Sequence, residues 1–154
     1  MRTETLLIIQ QGEEIILGLK NPNKKFGGKW NGFGGGIEEG ETPEETIIRE
    51  VLEEARIKIE SPEKIGEILF HFETDEQDHY VHIYKTNKFE GELQTSEDFV
   101  EYQRFSLDNL PEKMMPADKY WIPLLIKGKR FKGEVYFDKT FTNPKVKINE
   151  VTEI

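Results

Sequence analysis

Thr42-Pro43-Glu44-Glu45 is the most restrictive four-residue stretch in the chain. Threonine followed three residues later by glutamate makes a capping box, and proline suits the first helical position, where a backbone N–H has no partner. A helix is therefore expected from Thr42 to Ala55, with its phase set for every residue that follows. At about 100° per residue, Ile47, Ile48, Val51, Leu52 and Ala55 are expected on one face and Glu50, Glu53 and Glu54 on the other. Spacings of three and four gather those carboxylates into one patch, where each like-charge pair costs roughly a few tenths of a kcal/mol. Alone, such a cluster reads as the solvated side of a surface helix, softened by Arg49 and Arg56. Here the glycine-rich run KWNGFGGG, Lys29–Gly36, comes just before it, and residues without a Cβ let backbone approach a ligand closely. Oxygen-rich patches of this kind suit magnesium, which takes one or two carboxylates together with phosphate oxygens and water.

The rest of the chain supplies a sheet. Apolar runs at Thr5–Gln10 and Glu14–Lys20 meet around Gln11-Gly12, a hairpin signal. Asn21–Gly28 is a loop by its Pro, Asn and Gly content, and Trp30–Ile37 is expected to hold a short glycine-rich strand or loop. Strands are predicted at Ile65–Phe72, Tyr80–Asn87, Phe99–Phe105 and Phe131–Phe137, and a second helix at Ala117–Lys127, distorted at Pro123. Lys145–Val151 alternates as a strand would, or frays. Strands mixed with two helices imply an α/β class, and 154 residues without repeats or a low-complexity linker imply one domain over residues 1–154.

Composition excludes several functions. The net charge of −9 argues against a nucleic-acid polymer or an anionic membrane as partner. With no cysteine there is no disulfide or thiolate chemistry. His71, His79 and His82 are too scattered for a zinc site, and His71 and His79 are expected on exposed strand faces. Trp30 and Trp121 are expected in the core or a pocket wall, and the basic run Lys127, Lys129, Arg130 and Lys132 on a solvated face. The opening MRTETLLIIQQGEE has neither a long apolar run nor a cleavage site, so no secretory leader is expected, and a cytoplasmic location is.

Gly35, Glu41, Arg49-Glu50-Val51, Glu53-Glu54 and Ile57 stand at the spacings G-x5-E-x7-R-E-U-x-E-E-x-G-U, so the segment resembles the Nudix box. One position departs: Arg56 replaces the second glycine, where a left-handed backbone would cost arginine about 1 kcal/mol. KWNGFGG, Gly66–Phe72, His79–Tyr84 and Met115–Asp138 extend the resemblance over most of the chain, toward the family's oxidised purine nucleoside triphosphatases. The resemblance implies an α/β/α sandwich with a mixed β-sheet. It implies hydrolysis of a purine nucleoside triphosphate such as 8-oxo-dGTP to monophosphate and pyrophosphate, with Mg²⁺ as cofactor and Mn²⁺ as substitute, in a monomer or dimer.

Carried over residue by residue, it makes Glu50, Glu53 and Glu54 metal ligands, with the Gly34 carbonyl beside them and Glu50 or Glu53 alternatively the general base. Arg49 and Glu41 support them, and Asp98 is a further acidic group, with Glu97 and Glu101 as competitors. Asn31, Phe70, Phe72, Met115, Asp118 and Phe137 match the base pocket, and Phe26 and Lys20 lie near loop positions that also approach the nucleotide. For Phe70 and Phe137 plain core packing is the competing role. Met115-Pro116-Ala117-Asp118 stands where these relatives have Trp-Pro-Asp-Asp, so a stacking ring and one base-reading carboxyl are missing. The alternatives are a Nudix hydrolase of dinucleoside polyphosphates, nucleotide sugars or capped RNA, and a non-catalytic nucleotide-binding regulator. The complete Arg-Glu-Val-Leu-Glu-Glu pattern argues for the enzyme.

Overall fold

The computed structural model describes residues 1–154. Its main sheet contains β1 (Arg2–Gln11), β2 (Glu14–Lys20), β3 (Trp30–Asn31), β5 (Glu63–Phe72), β6 (His79–Thr86), β8 (Phe99–Ser106), β9 (Arg130–Phe137) and β10 (Lys145–Val151). The strands run in the order β10-β9-β5-β6-β1-β2-β3, with β8 also paired to β2. The β1–β6 and β5–β9 pairs are parallel and the others antiparallel, so the sheet is mixed. Two short strands, β4 (Lys58–Glu60) and β7 (Lys88–Glu90), form a separate ribbon. Three residues each, they carry too little alternation to be read from the chain.

Strand alternation divides the interior. On one face Ile8 of β1, Leu17 of β2, Ile68 of β5 and Val135 of β9 pack under helix α2 (Asp118–Ile126). On the other, Leu7, Ile9 and Ile16 pack under helix α1 (Pro43–Ala55). The result is the expected α/β/α sandwich. No helix is long and apolar enough to cross a membrane. Pro123 lies inside α2 and removes a helical hydrogen bond there. Lys127, Lys129, Arg130 and Lys132 are exposed, as their charge predicts.

Helix α1 starts as its sequence demands. Glu45 N–H donates to Thr42 Oγ1 and Thr42 N–H to Glu45 Oε1, both at 3.1 Å. Its C-cap, Arg56, adopts φ 60° and ψ 28°, the left-handed conformation that glycine takes most easily, and its N–H donates to the Leu52 carbonyl at 3.1 Å. The expected division of faces needs correction. Ile47, Val51 and Ala55 are buried, but Ile48 and Leu52 are exposed, and Glu54 is buried among the apolar residues. The stripe against the sheet is centred between Ile47 and Val51. Glu54 falls beside Ile47 on the helical wheel and so belongs to that stripe, while Leu52 points away from it. The histidines also differ from expectation. His71 and His79 are half-buried and paired with carboxylates, His71 Nδ1 with Asp78 at 2.9 Å and His79 Nδ1 with Glu4 of the neighbouring strand at 2.6 Å.

Candidate active site

The glycine run does not form an independent loop. It lies antiparallel along the first half of β1, with Leu7 N–H donating to the Phe33 carbonyl at 2.6 Å and Thr5 N–H to the Gly35 carbonyl at 2.9 Å. Gly34 has φ +145°, and a Cβ there would stand 2.1 Å from the Thr5 carbonyl oxygen, so only glycine fits. This contact places Gly34 N–H against α1, where it donates to Glu54 Oε1 at 3.0 Å. A Cβ on Gly35 would come within 2.7 Å of the Glu50 carboxyl carbon. The glycines therefore form a cradle for the two inward carboxylates of the helix.

The three glutamates of the motif are not equivalent. Glu54 is 8% exposed, while the side chains of Glu50 and Glu53 are 20% and 60% exposed. Burial pushes Glu54 from the usual 4.5 up to about 9, and the charges of Glu50 and Asp98 add to the rise against the Gly34 hydrogen bond. Burial also raises Glu50, opposed by the Arg49 guanidinium and assisted by the charges of Glu53 and Asp98. Asp98 is thus electrostatically coupled to both inward glutamates, whereas its competitors Glu97 and Glu101 are exposed. The single patch expected of the trio is in fact two inward carboxylates, with Glu53 turned to solvent. Arg49 anchors the group. Its Nε and Nη2 donate to the two Glu41 oxygens at 2.7 and 2.9 Å, and its Nη1 donates to Glu50 Oε1 at 2.9 Å. Those bonds hold the Glu41 carboxyl down near 2.

No three acidic or imidazole groups converge closely enough to enclose a cation. The donor set nevertheless fits a hard divalent ion. It offers oxygen donors only, on an open side, and two of its carboxylates, Glu50 and Glu54, are destabilised by mutual repulsion and burial, a cost that a cation would relieve.

Beside this cradle, a cavity of about 200 Å³ opens between the sheet and α2. Asn31, Lys20, Phe26 and Met115 line it, as do Phe70, Phe72, Phe137 and Asp118, so all eight predicted pocket residues are brought together. Gly34 and Glu54 line it too, and join it to the acidic end of α1. Phe70 and Phe72 stack on Phe137 at 6.1 and 5.7 Å between ring centres; these rings are both core and cavity wall. Asp118 is buried, accepts the Trp121 indole N–H at 3.1 Å, and is lifted by burial to about 7. Ala117, where the resemblance would have a second carboxyl, is fully buried.

A NUDIX domain model matches residues 2–125, four-fifths of the chain and the whole of the cradle. The chain belongs to the Nudix family. The oxidized purine nucleoside triphosphate hydrolase of Mus musculus is 37% identical over 152 residues, covering 97% of this chain and 96% of that protein. Its Danio rerio counterpart is 38% identical over 154 residues with the same coverage. The MutT protein of Bacillus halodurans shares the fold, with a TM-score of 0.79 over 97% of this chain and 98% of its own, at 24% identity. Nudix hydrolases generally use divalent metals, and this Nudix chain keeps each acidic position of the box.

Glu4, Thr5, His79 and Phe99 are among the cavity residues that the sequence did not assign to a pocket. A signal existed for two of them. Glu4 shares the parity of Leu6 and Ile8 on β1, and His79 that of Val81 and Ile83 on β6, so alternation alone puts both on the cavity face.

Proposed function

We propose that this Nudix hydrolase cleaves purine nucleoside triphosphates, oxidised purines among them, to the monophosphate and pyrophosphate with Mg²⁺. The observation that carries this is the continuity of the aromatic cavity with the Gly34–Glu54 corner of the cradle. At about 200 Å³ the cavity is smaller than the ~300–1,000 Å³ of whole-ligand pockets, so it takes the base and leaves the phosphates outside, toward α1.

The residues divide the work. Phe70, Phe72 and Phe137 offer ring faces and edges to the base, and Asn31 and Asp118 offer hydrogen-bonding groups to its rim. Glu50 and Glu54, with Asp98 and the Gly34 carbonyl nearby, would hold Mg²⁺, and Glu53 reaches the same side from solvent. When bound, the ion neutralises charge on the phosphoryl oxygens and lowers the pKa of water. Arg49, clamped by Glu41, keeps Glu50 facing the cradle. In place of ligation, Glu50 or Glu53 accepts the proton of the attacking water. Strong resemblance to the Mus musculus and Danio rerio hydrolases supports the substrate class.

The test is a panel of ordinary and oxidised purine nucleoside triphosphates, diadenosine polyphosphates and ADP-ribose, each with Mg²⁺ and ranked by kcat/KM. Oxidised purine triphosphates should rank first and release pyrophosphate. Release of orthophosphate, or preference for ADP-ribose or a dinucleotide, would overturn the assignment.

A further inference from the structure

Asn31 and Asp118 are not the only polar groups on the cavity wall. Glu4 and His79 stand at the ends of β1 and β6, on the sheet face that forms the cavity floor. They are bonded to each other, Glu4 Oε1 to His79 Nδ1 at 2.6 Å. His79 Nε2 meets Glu76 Oε1 at 3.0 Å, and Glu76 pairs in turn with Lys25. The imidazole also packs edge-on against Phe72, with ring centres 5.1 Å apart. His79 thus has both nitrogens engaged and its ring held, so it has no free donor or acceptor for a ligand. Glu4 does. One of its oxygens takes the imidazole and the other lies 3.4 Å from Arg2 Nε, and two carboxylate oxygens offer about four acceptor directions between them. A half-buried carboxylate beside an aromatic floor, with its rotamer set by a neighbour, is a fixed acceptor facing whatever fills the cavity.

We propose that Glu4 is a specificity-determining residue that accepts a hydrogen bond from an exocyclic amino group of the purine, with His79 as the positioning residue that aims it. This rests on the proposed base-binding role of the cavity. It adds a selector on the floor, contributed by β1 and β6, to the groups on β3 and α2. A merely structural role for the pair is a clamp: it ties the 73–78 loop to the sheet through Glu76, and its loss would cost stability without altering selectivity.

Two matched substrate pairs separate these roles. 8-oxo-dGTP and 8-oxo-dITP differ only by the 2-amino group; dATP and purine deoxyriboside triphosphate differ only by the 6-amino group. The wild type should favour the amino-bearing member of at least one pair in kcat/KM, chiefly through KM. Glu4→Leu should reduce that preference by about tenfold or more, the size of one charge-assisted hydrogen bond. Glu4→Gln, which keeps an acceptor oxygen, should restore part of it, and His79→Met should fall between the two. Thermal melting of each variant reports the clamp separately. A wild type indifferent to both amino groups, or a Glu4→Leu ratio equal to the wild type's whatever its melting temperature, overturns the proposal while leaving the hydrolase assignment standing. If no nucleoside triphosphate is hydrolysed at all, the assignment fails and the proposal falls with it.

Discussion

Glu54→Gln should make the metal-free protein more stable and the enzyme almost inactive. In the fold Glu54 is 8% exposed, and burial raises its carboxyl from the usual 4.5 to about 9. Because the folded value is the higher one, the stability linked to this group is fully present below pH 4.5 and is lost as pH rises toward 9. At about 1.4 kcal/mol per pH unit, the loss at pH 7 is about 3 kcal/mol. Glutamine has no charge to desolvate, and its amide oxygen still accepts the Gly34 N–H that Glu54 takes at 3.0 Å. With EDTA present, Glu54→Gln should therefore melt roughly 6–12 °C above the wild type at pH 7, and the two should converge near pH 4.5. Excess Mg²⁺ should raise the wild type and barely move the variant. The kcat of the variant should fall by more than the ~10–100-fold typical of a supporting residue. Differential scanning fluorimetry across pH, with and without Mg²⁺, makes the comparison. Equal melting temperatures in EDTA at pH 7 would refute the claim that an uncompensated buried carboxylate limits this fold.

Gly35→Ala should place a methyl group 2.7 Å from the Glu50 carboxyl carbon. The side chain can swing aside, so stability should fall by only about 1 kcal/mol, while kcat drops on the order of a hundredfold from misplacement; urea titration and single-turnover kinetics report the two. Glu41→Gln weakens the two-pronged grip on Arg49 and should lower kcat about 10–100-fold with the melting temperature nearly unchanged. Asp118, lifted to about 7 from 3.8, stabilises the fold below pH 3.8 and loses that contribution as pH rises through 7, about 4 kcal/mol in all. Asp118→Asn, made in the Glu54→Gln background and followed by denaturation across pH, should flatten that slope.

Much of this molecule could be read before it was seen. The helix start at Thr42 was legible because the capping box is a local code, satisfied by four adjacent residues. The α/β class followed from periodicity and the sandwich from the family resemblance, and the long strands were found to within a few residues. The eight cavity residues were named through resemblance, not through any local pattern, since they come from β2, β3, β5, β9, α2 and two loops. What escaped the sequence has physical reasons. The burial of Glu54 depends on which sector of α1 meets the sheet, and Ile48 and Leu52 pulled the inferred stripe to the wrong side. The ribbon of β4 and β7 is too short to show a period. The Glu4–His79 pair joins residues 75 positions apart, and only the parallel β1–β6 register brings them together. Arg56 shows the reverse: the departure from glycine was visible, and the backbone adopts the left-handed turn regardless.

Strand β1 sends Leu6 and Ile8 to one side of the sheet and Leu7 and Ile9 to the other. The consequence is evolutionary. Under the proposed function, substitutions on the even-numbered side retune which nucleobase is bound, while the odd-numbered side goes on seating the helix that carries Glu50 and Glu54. A lineage built on such a wall can change its diet without relearning how to digest.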